Sequence, residues 1–443
     1  MTGDKANFDG LAAAALQHHR AGRLAEAEAA YRAALQLVPG HPAVAHNLGA
    51  VAATRGDPES AIGWFDVALA AEPGYASALF NKAIALQTLG RMQAAIACLK
   101  RTCALEPEHY QAHLRLALLW LAEGERGRAL DHFARTYELR RGEDRSGLAG
   151  RSLSHATRGK LLHDADQFRY LASRRRDGQR FEVLARLYED VARGLPDGVA
   201  ELSPAQLDVL GEDYNSGIHL ADAAEIRGPA VNPALDVNAI ERAFRDGGAG
   251  AAAVDDLLTP DALASLKRYL LESTIWHDFS HIGGFVASYL EDGLASPLVL
   301  QIADELRRAL PDLLGPHPLS QAWAFKGLEA RSEVDAHADD AVVSVNLWLT
   351  PDTANLESEG GGLQVCTAPP PAHWRMTGYD ADMAEIAAFL ERHRDDTIHV
   401  PYRENRAVIF HARLFHRSDA PRFAAGYANH RVNLTLLYGR DDE

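Results

Sequence analysis

Apolar residues in the first third of the chain fall at three- and four-residue spacings that predict helices, and they repeat on a longer period of 34 positions. Gly22, Gly56, Gly90 and Gly124 keep that period, and so do Ala27, Ala61, Ala95 and Ala129. Tyr31, Phe65, Leu99 and Phe133 follow it too, as do Pro39, Pro73 and Pro107, a series that Arg141 breaks. From 144 to 229 the long period is lost while helical spacing continues. Leu161, Ala165, Phe168 and Leu171 predict one helix, and Leu184, Leu187, Tyr188 and Val191 predict its antiparallel neighbour, with Asp177-Gly178 as the turn. Residues 194–237, rich in Gly, Pro and Asp, predict an irregular connection. Residues 254–258 read as a short strand and Thr259-Pro260 as the start of the helix DALASLKRYLLES, with LASPLVLQIADELRRAL as a second helix. From Gln321 the pattern changes to period two: QAWAF, AVVSVNLWLT, GGLQVC, DTIHVPY, RAVIF and HRVNLTLLYG are short strands between Gly, Pro and Asp turns.

The four periodic positions resemble the tetratricopeptide repeat over about residues 8–143. The resemblance implies four helix-turn-helix units: glycine permits the turn, alanine allows close helix approach, and proline ends the second helix. Stacked units leave a concave groove, often lined by the sixth position of each first helix, here Asn47, Asn81 and Arg115. Asparagines so placed suit a peptide backbone and Arg115 an acidic group, so a peptide or protein partner is expected; a scaffold that only positions the next domain is the alternative.

A chain of 443 residues predicts more than one domain, and the pattern divides it into residues 1–143, the repeats; 144–237, a helical extension and linker; and 238–443, the strand-rich domain. A formal charge of -16 excludes general binding to nucleic acid or anionic membrane, which requires a basic face. Arg174, Arg175, Arg176 and Arg180 are the local exception and read as a solvated helix end. Three cysteines, Cys98, Cys103 and Cys366, lack metal-ligand spacing and fit a reducing compartment. The first residues lack a basic start before an apolar core, and no run approaches the roughly 20 apolar residues of a membrane span. A cytoplasmic location is expected.

The candidate chemistry lies in the strand-rich part. His337 and Asp339, two residues apart, together with His416 provide two imidazoles and a carboxylate, a set that occupies one face of an octahedral Fe(II) and leaves positions open opposite. His411, at the end of the strand RAVIF, competes with His416. On the strand after Asp339, the alternation places Ser344, Asn346 and Trp348 on one face.

Residues 250–443 resemble the Fe(II)/2-oxoglutarate-dependent dioxygenases, through HADD at 337–340, GGGLQV at 360–365, NRAVIF at 405–410 leading to His416, and the final strand HRVNLTLLYG. The resemblance implies a double-stranded β-helix (jelly-roll) with flanking helices, so the expected protein is multidomain, an all-α solenoid followed by that oxygenase fold. It implies Fe(II) on His337, Asp339 and His416, which are also the catalytic set, with 2-oxoglutarate and O2 as co-substrates. Arg431 would hold the far carboxylate of 2-oxoglutarate, with Asn433 and Asn346 as further contacts. The interval from His416 to Arg431 is longer than the roughly ten residues usual in the superfamily, which leaves Arg422 as an alternative. Asp339 itself disfavours halogenation, since halogenases of this superfamily vacate the carboxylate position. The proline-rich segment 369–382 suits a lid, with His373, Trp374 and Trp348 as substrate contacts. The expected activity is hydroxylation of a peptide or protein side chain delivered by the repeats. A small-molecule hydroxylase whose repeats dock or oligomerise, and a binding scaffold with an inactive oxygenase domain, are the alternatives.

Overall fold

The computed structural model describes residues 2–142, 153–246, 250–279, 284–328, 334–371, 374, 383–419 and 421–440. The chain divides into two compact units, Met1–Trp120 and Leu121–Glu443.

Eight helices open the described chain: α1 (Thr2–Arg20), α2 (Leu24–Leu37), α3 (Pro42–Thr54), α4 (Pro58–Ala71), α5 (Ala76–Thr88), α6 (Met92–Leu105), α7 (Tyr110–Ala122) and α8 (Arg126–Arg141). The 34-residue period has a direct structural cause. Gly22, Gly56, Gly90 and Gly124 all turn the chain at φ between 69° and 78°, a region that a Cβ disfavours. The periodic alanines Ala27, Ala61, Ala95 and Ala129 are fully buried, which lets the second helix of each pair approach its neighbours closely. Gly49 shows how close: a Cβ there would stand 2.6 Å from the Phe65 ring. Each of α2, α4 and α6 ends two residues before Pro39, Pro73 or Pro107. In the first unit the result is a helical solenoid of the tetratricopeptide type; α8 belongs to the second unit.

The second unit continues with β1 (His155–Thr157), α9 (Arg158–Ala172), α10 (Gly178–Arg193), β2 (Val199–Glu201), α11 (Pro204–Leu210) and α12 (Val237–Asp246). Helices α9 and α10 share one apolar cluster that includes Phe168, Phe181 and Tyr188. His163 and Asp164, adjacent on α9, are buried, and the His163 ring packs beside Trp276 and Tyr427. The basic run is a helix end, with Arg174 stacked on Tyr170 and Arg175 paired with Asp177.

The remaining elements are β3 (Ala251–Val254), α13 (Pro260–Glu272), β4 (Phe285–Tyr289), α14 (Pro297–Ala309), β5 (Leu319–Gly327), β6 (Val343–Trp348), β7 (Leu363–Cys366), α15 (Met383–Arg392), β8 (Thr397–Val400), β9 (Ala407–His411), β10 (His416–Ser418) and β11 (Val432–Tyr438). Thr259 precedes α13 but does not cap it through its side chain. Its hydroxyl instead donates to the carbonyl of Pro229.

The strands form an antiparallel six-stranded sheet, β3-β9-β6-β11-β5-β4, and an antiparallel three-stranded sheet, β10-β7-β8. One face of the large sheet carries Val343, Val345, Leu434, Leu436 and Tyr438, all buried, and the Tyr438 hydroxyl donates to Ala303 of α14. The opposite face shares an apolar cluster with the small sheet, in which Trp348, Val408 and Phe410 meet Leu363, Val365 and Val400. Polar residues inside that inter-sheet space therefore stand out against an otherwise dry core. The small sheet is held close by Gly362, where a Cβ would lie 1.9 Å from the Val400 carbonyl oxygen. Gly362→Ala is expected to cost roughly 1–3 kcal/mol through that clash, a fall of roughly 2–10 °C in Tm by thermal circular dichroism. An unchanged melting curve would show that the two strands part freely.

Candidate metal centre

The candidate metal-ligating set is assembled by backbone pairing. His337 precedes β6 and His416 opens β10, and the two residues exchange both backbone hydrogen bonds, His337 N to His416 O at 3.0 Å and His416 N to His337 O at 2.8 Å. Asp339 N donates to Ala412 O at 2.8 Å, which anchors the carboxylate across the same gap. A two-residue step thus places His337 and Asp339 on one side of an irregular turn, and a bridge brings His416 beside them. Ligand atoms of His337, Asp339 and His416 all lie within 4.8 Å of one another, and this is the sole such His/Cys/Asp/Glu group among the described residues.

The protonation pattern suits a cation. His337 Nδ1 donates to Asp335 O at 2.8 Å and His416 Nδ1 donates to Leu414 O at 3.1 Å. Because a carbonyl only accepts, each neutral ring carries its proton on Nδ1 and presents the Nε2 lone pair. The two Nε2 atoms stand 3.7 Å from separate Asp339 carboxylate oxygens. Burial, with His337 adding to it, pushes His416 down to about 4, so its imidazole is neutral at ordinary pH. Ser344 donates to Asp339 Oδ2 at 2.6 Å, fixing the carboxylate from behind. Spacing alone did not reveal that role of Ser344; its place on the same strand face as Asn346 was the available signal.

Register explains which polar groups converge. Opposite Asn346 on β6 stands Thr435 on β11, and opposite Thr435 stands Trp323 on β5. Asn346 donates to Thr435 at 3.1 Å, and Asn346 Oδ1 has no hydrogen-bond partner. One pocket is lined by His337, Asp339, His416, Asn346, Asn433, Thr435 and Arg431 together with Trp323 and Phe325. Arg431 lies at the far end, 8% exposed, and among the described residues its guanidinium makes one long hydrogen bond of 3.4 Å, from Nη2 to Gly362 O. Its Nε has no partner among the described residues. Burial pulls the guanidinium down to about 10, with Tyr402 opposing. A buried cation without a carboxylate is costly unless something anionic meets it.

The other candidates fall elsewhere. His411 ends β9 with an exposed side chain whose ring packs on Phe244 at 4.5 Å, outside the metal group. Arg422 is exposed and pairs with Glu357 at 3.0 Å. The long interval before Arg431 is a loop whose Tyr427 reaches the opposite face of the sheet, where its hydroxyl donates to Leu271 O and Lys326 sits over its ring. Trp348 does not line the pocket, because its fully buried ring stacks on Tyr402 between the sheets. Trp374 is also core, packed with Phe389 and Phe415. His373 lies outside the described residues. In the first unit, Asn81 bonds His46 at 2.8 Å and Arg115 bonds Gln87 at 3.2 Å, while Asn47 is half-buried on α3.

Two family models described as tetratricopeptide repeat match residues 18–81 and 80–144. The N-terminal segment carries tetratricopeptide repeats. No curated protein matches the chain. Among solved structures, MamA from Desulfovibrio magneticus RS-1 is 22% identical, with 31% of this chain and 77% of that chain covered and a TM-score of 0.30. The first repeat domain of Spaghetti (RPAP3), bound to an HSP90 peptide, is 19% identical over 27% of this chain and 94% of that chain, with a TM-score of 0.26. A variant of the O-GlcNAc transferase of Thermobaculum terrenum is 26% identical over 30% of this chain and 27% of that chain, with a TM-score of 0.28. Scores this low carry nothing about activity. No helix among the described residues is long and apolar enough to cross a membrane.

Proposed function

We propose that the second unit is an Fe(II)- and 2-oxoglutarate-dependent dioxygenase that hydroxylates a C–H bond, built on two facing sheets of the double-stranded β-helix kind. The observation that carries this reading is the pairing, in one pocket, of a two-His, one-carboxylate set with a buried Arg431 that has no anionic partner among the described residues. Fe(II) at that set would couple decarboxylation of 2-oxoglutarate to succinate and CO2 with transfer of one oxygen atom of O2 into the substrate.

The residues of the chain do the rest. Arg431 receives the far carboxylate as a fork, which Lys would do less well. Asn346, Asn433 and Thr435 line the path between Arg431 and the metal set, and the free Oδ1 of Asn346 takes a donor along it. Ser344 holds Asp339 in one orientation, leaving its carboxylate committed on one side and available on the other. Trp323 and Phe325 exclude water from one wall.

The repeats suit protein–protein contact, so a peptide or protein side chain is the first substrate class. A small molecule is the second, favoured by a cavity of about 500 Å³ elsewhere in the second unit. The deciding experiment is an anaerobic titration of the full chain with Fe(II) and 2-oxoglutarate, followed by the visible charge-transfer band of the chelate. The band is expected to saturate at one equivalent. Its absence, with no Fe(II) bound, would leave a repeat scaffold with a silent β-domain.

A further inference from the structure

The cavity of about 500 Å³ lies against the same sheet face as the metal pocket and is lined by Arg140, Arg141, Tyr289, Glu291, Asp292 and Gln321 among others. Gln321 precedes Trp323 by two residues on β5 and faces the same side, roughly 7 Å along the strand. The register sets the direction. Gln321 stands opposite Leu437, Leu437 stands opposite Ser344, and Ser344 holds Asp339. Along the sheet the cavity therefore lies toward the metal end of the pocket, whereas Arg431 lies toward the other end. Tyr289, which lines the cavity, is paired across β4 and β5 with Trp323, which lines the metal pocket, and their ring centroids are 6.4 Å apart.

Its charges are unusual for a structural core. Arg140 Nε donates to Asp292 at 3.1 Å and Arg141 Nε donates to the same carboxylate at 2.7 Å, so Asp292 is fully engaged. Arg141 is 3% exposed, and its Nη1 has no hydrogen-bond partner among the described residues. Glu291, next to Asp292 in sequence, has a buried Oε2 with no partner among the described residues either. The residues that carry one unsatisfied donor and one unsatisfied acceptor thus line one cavity, burial and the adjacent Asp292 push the Glu291 carboxyl up, and each unsatisfied atom is a cost to folding that a bound group of the opposite kind removes.

We propose that this cavity receives the substrate, whose carboxylate meets Arg141 and whose ammonium or guanidinium group meets Glu291. A phosphate fits poorly, because Asp278, Glu291 and Asp292 line the same space and repel a dianion. A paired cation and monoanion match the lining, and the volume suits one amino acid or a short peptide segment. The chemistry comes from a free basic amino acid or from neighbouring basic and acidic side chains of a peptide. Placement of the reacting carbon rests on the oxygenase reading; the binding itself does not.

The test is isothermal titration calorimetry on the full chain without iron, using free L-lysine and L-arginine, their Nα-acetyl amides, and an end-blocked peptide with adjacent Lys and Asp. Wild type, Glu291→Gln and Arg141→Lys are compared, with circular dichroism to verify folding and the Fe(II)–2-oxoglutarate band recorded in parallel. At least one zwitterionic ligand is expected to bind, with affinity at least 10-fold weaker in Glu291→Gln and in Arg141→Lys. Loss on blocking the ends assigns a free amino acid, and binding of the blocked peptide assigns the side-chain pair. Absence of binding by every ligand, or equal binding by folded wild type and both variants, overturns the proposal. Binding without a chelate band keeps the cavity and removes the oxygenase reading.

Discussion

Arg431→Gln is expected to raise the 2-oxoglutarate concentration for half-maximal turnover by roughly 30- to 3000-fold while leaving Fe(II) binding in place. The range follows from the roughly 2–5 kcal/mol lost when one partner of a buried, hydrogen-bonded charge pair is removed, at about 1.4 kcal/mol per tenfold. Succinate formation against 2-oxoglutarate concentration reads it directly. A second readout separates a ligand role from a structural one. Arg431 is buried, and among the described residues its guanidinium makes one long hydrogen bond and meets no carboxylate. Without co-substrate it is a net cost to the fold. The Gln variant is therefore expected to melt at or above the wild-type temperature when 2-oxoglutarate is absent, and to lose the ligand-induced rise that wild type shows. A variant that melts well below wild type under both conditions would make Arg431 a structural residue.

What the sequence made legible tracks how local each signal is. The helical repeats were readable because a left-handed turn at Gly22, Gly56, Gly90 and Gly124 recurs with fully buried alanines, and both constraints act within one unit. The site was readable where chemistry and spacing coincide. His337 and Asp339 share a turn, and strand alternation from Arg431 carries Asn433 and Thr435 into the same pocket. The misses have physical causes. Strand β10 is three residues long and exists because His416 pairs with Val365, a long-range match that no local pattern carries. Alternation placed Trp348 with Asn346, but two residues further along β6 the small sheet covers that face and Tyr402 stacks on the ring. The lengthened interval before Arg431 looked like a departure and is a loop whose Tyr427 anchors it on the far side of the sheet. The cavity at Arg141 and Glu291 was invisible because its walls come from residues about 150 positions apart.

His416→Ala is expected to abolish the Fe(II)–2-oxoglutarate band and to reduce succinate formation below detection, whereas His411→Ala retains both. The contrast decides between two imidazoles five residues apart that sequence order leaves in competition. His416 is 4% exposed, donates Nδ1 to Leu414 O, and stands 3.7 Å from Asp339 through Nε2. Residues that merely orient a metal ligand are worth roughly 10- to 100-fold in affinity or activity, so loss of the ligand itself exceeds that range. The His411 ring instead packs on Phe244, and its removal costs only that contact, measurable as a modest loss of stability. His416→Gln keeps most of the side-chain volume beside Phe410, whose ring lies 4.6 Å from the imidazole, and guards against mistaking a packing defect for lost metal binding. Titration of Fe(II) into folded apo-protein, verified by circular dichroism, separates the outcomes. If His416→Ala and His416→Gln still bind one equivalent of Fe(II) and His411→Ala does not, the metal lies at the β9 end, and the pocket that joins Asp339 to Arg431 loses its assigned role.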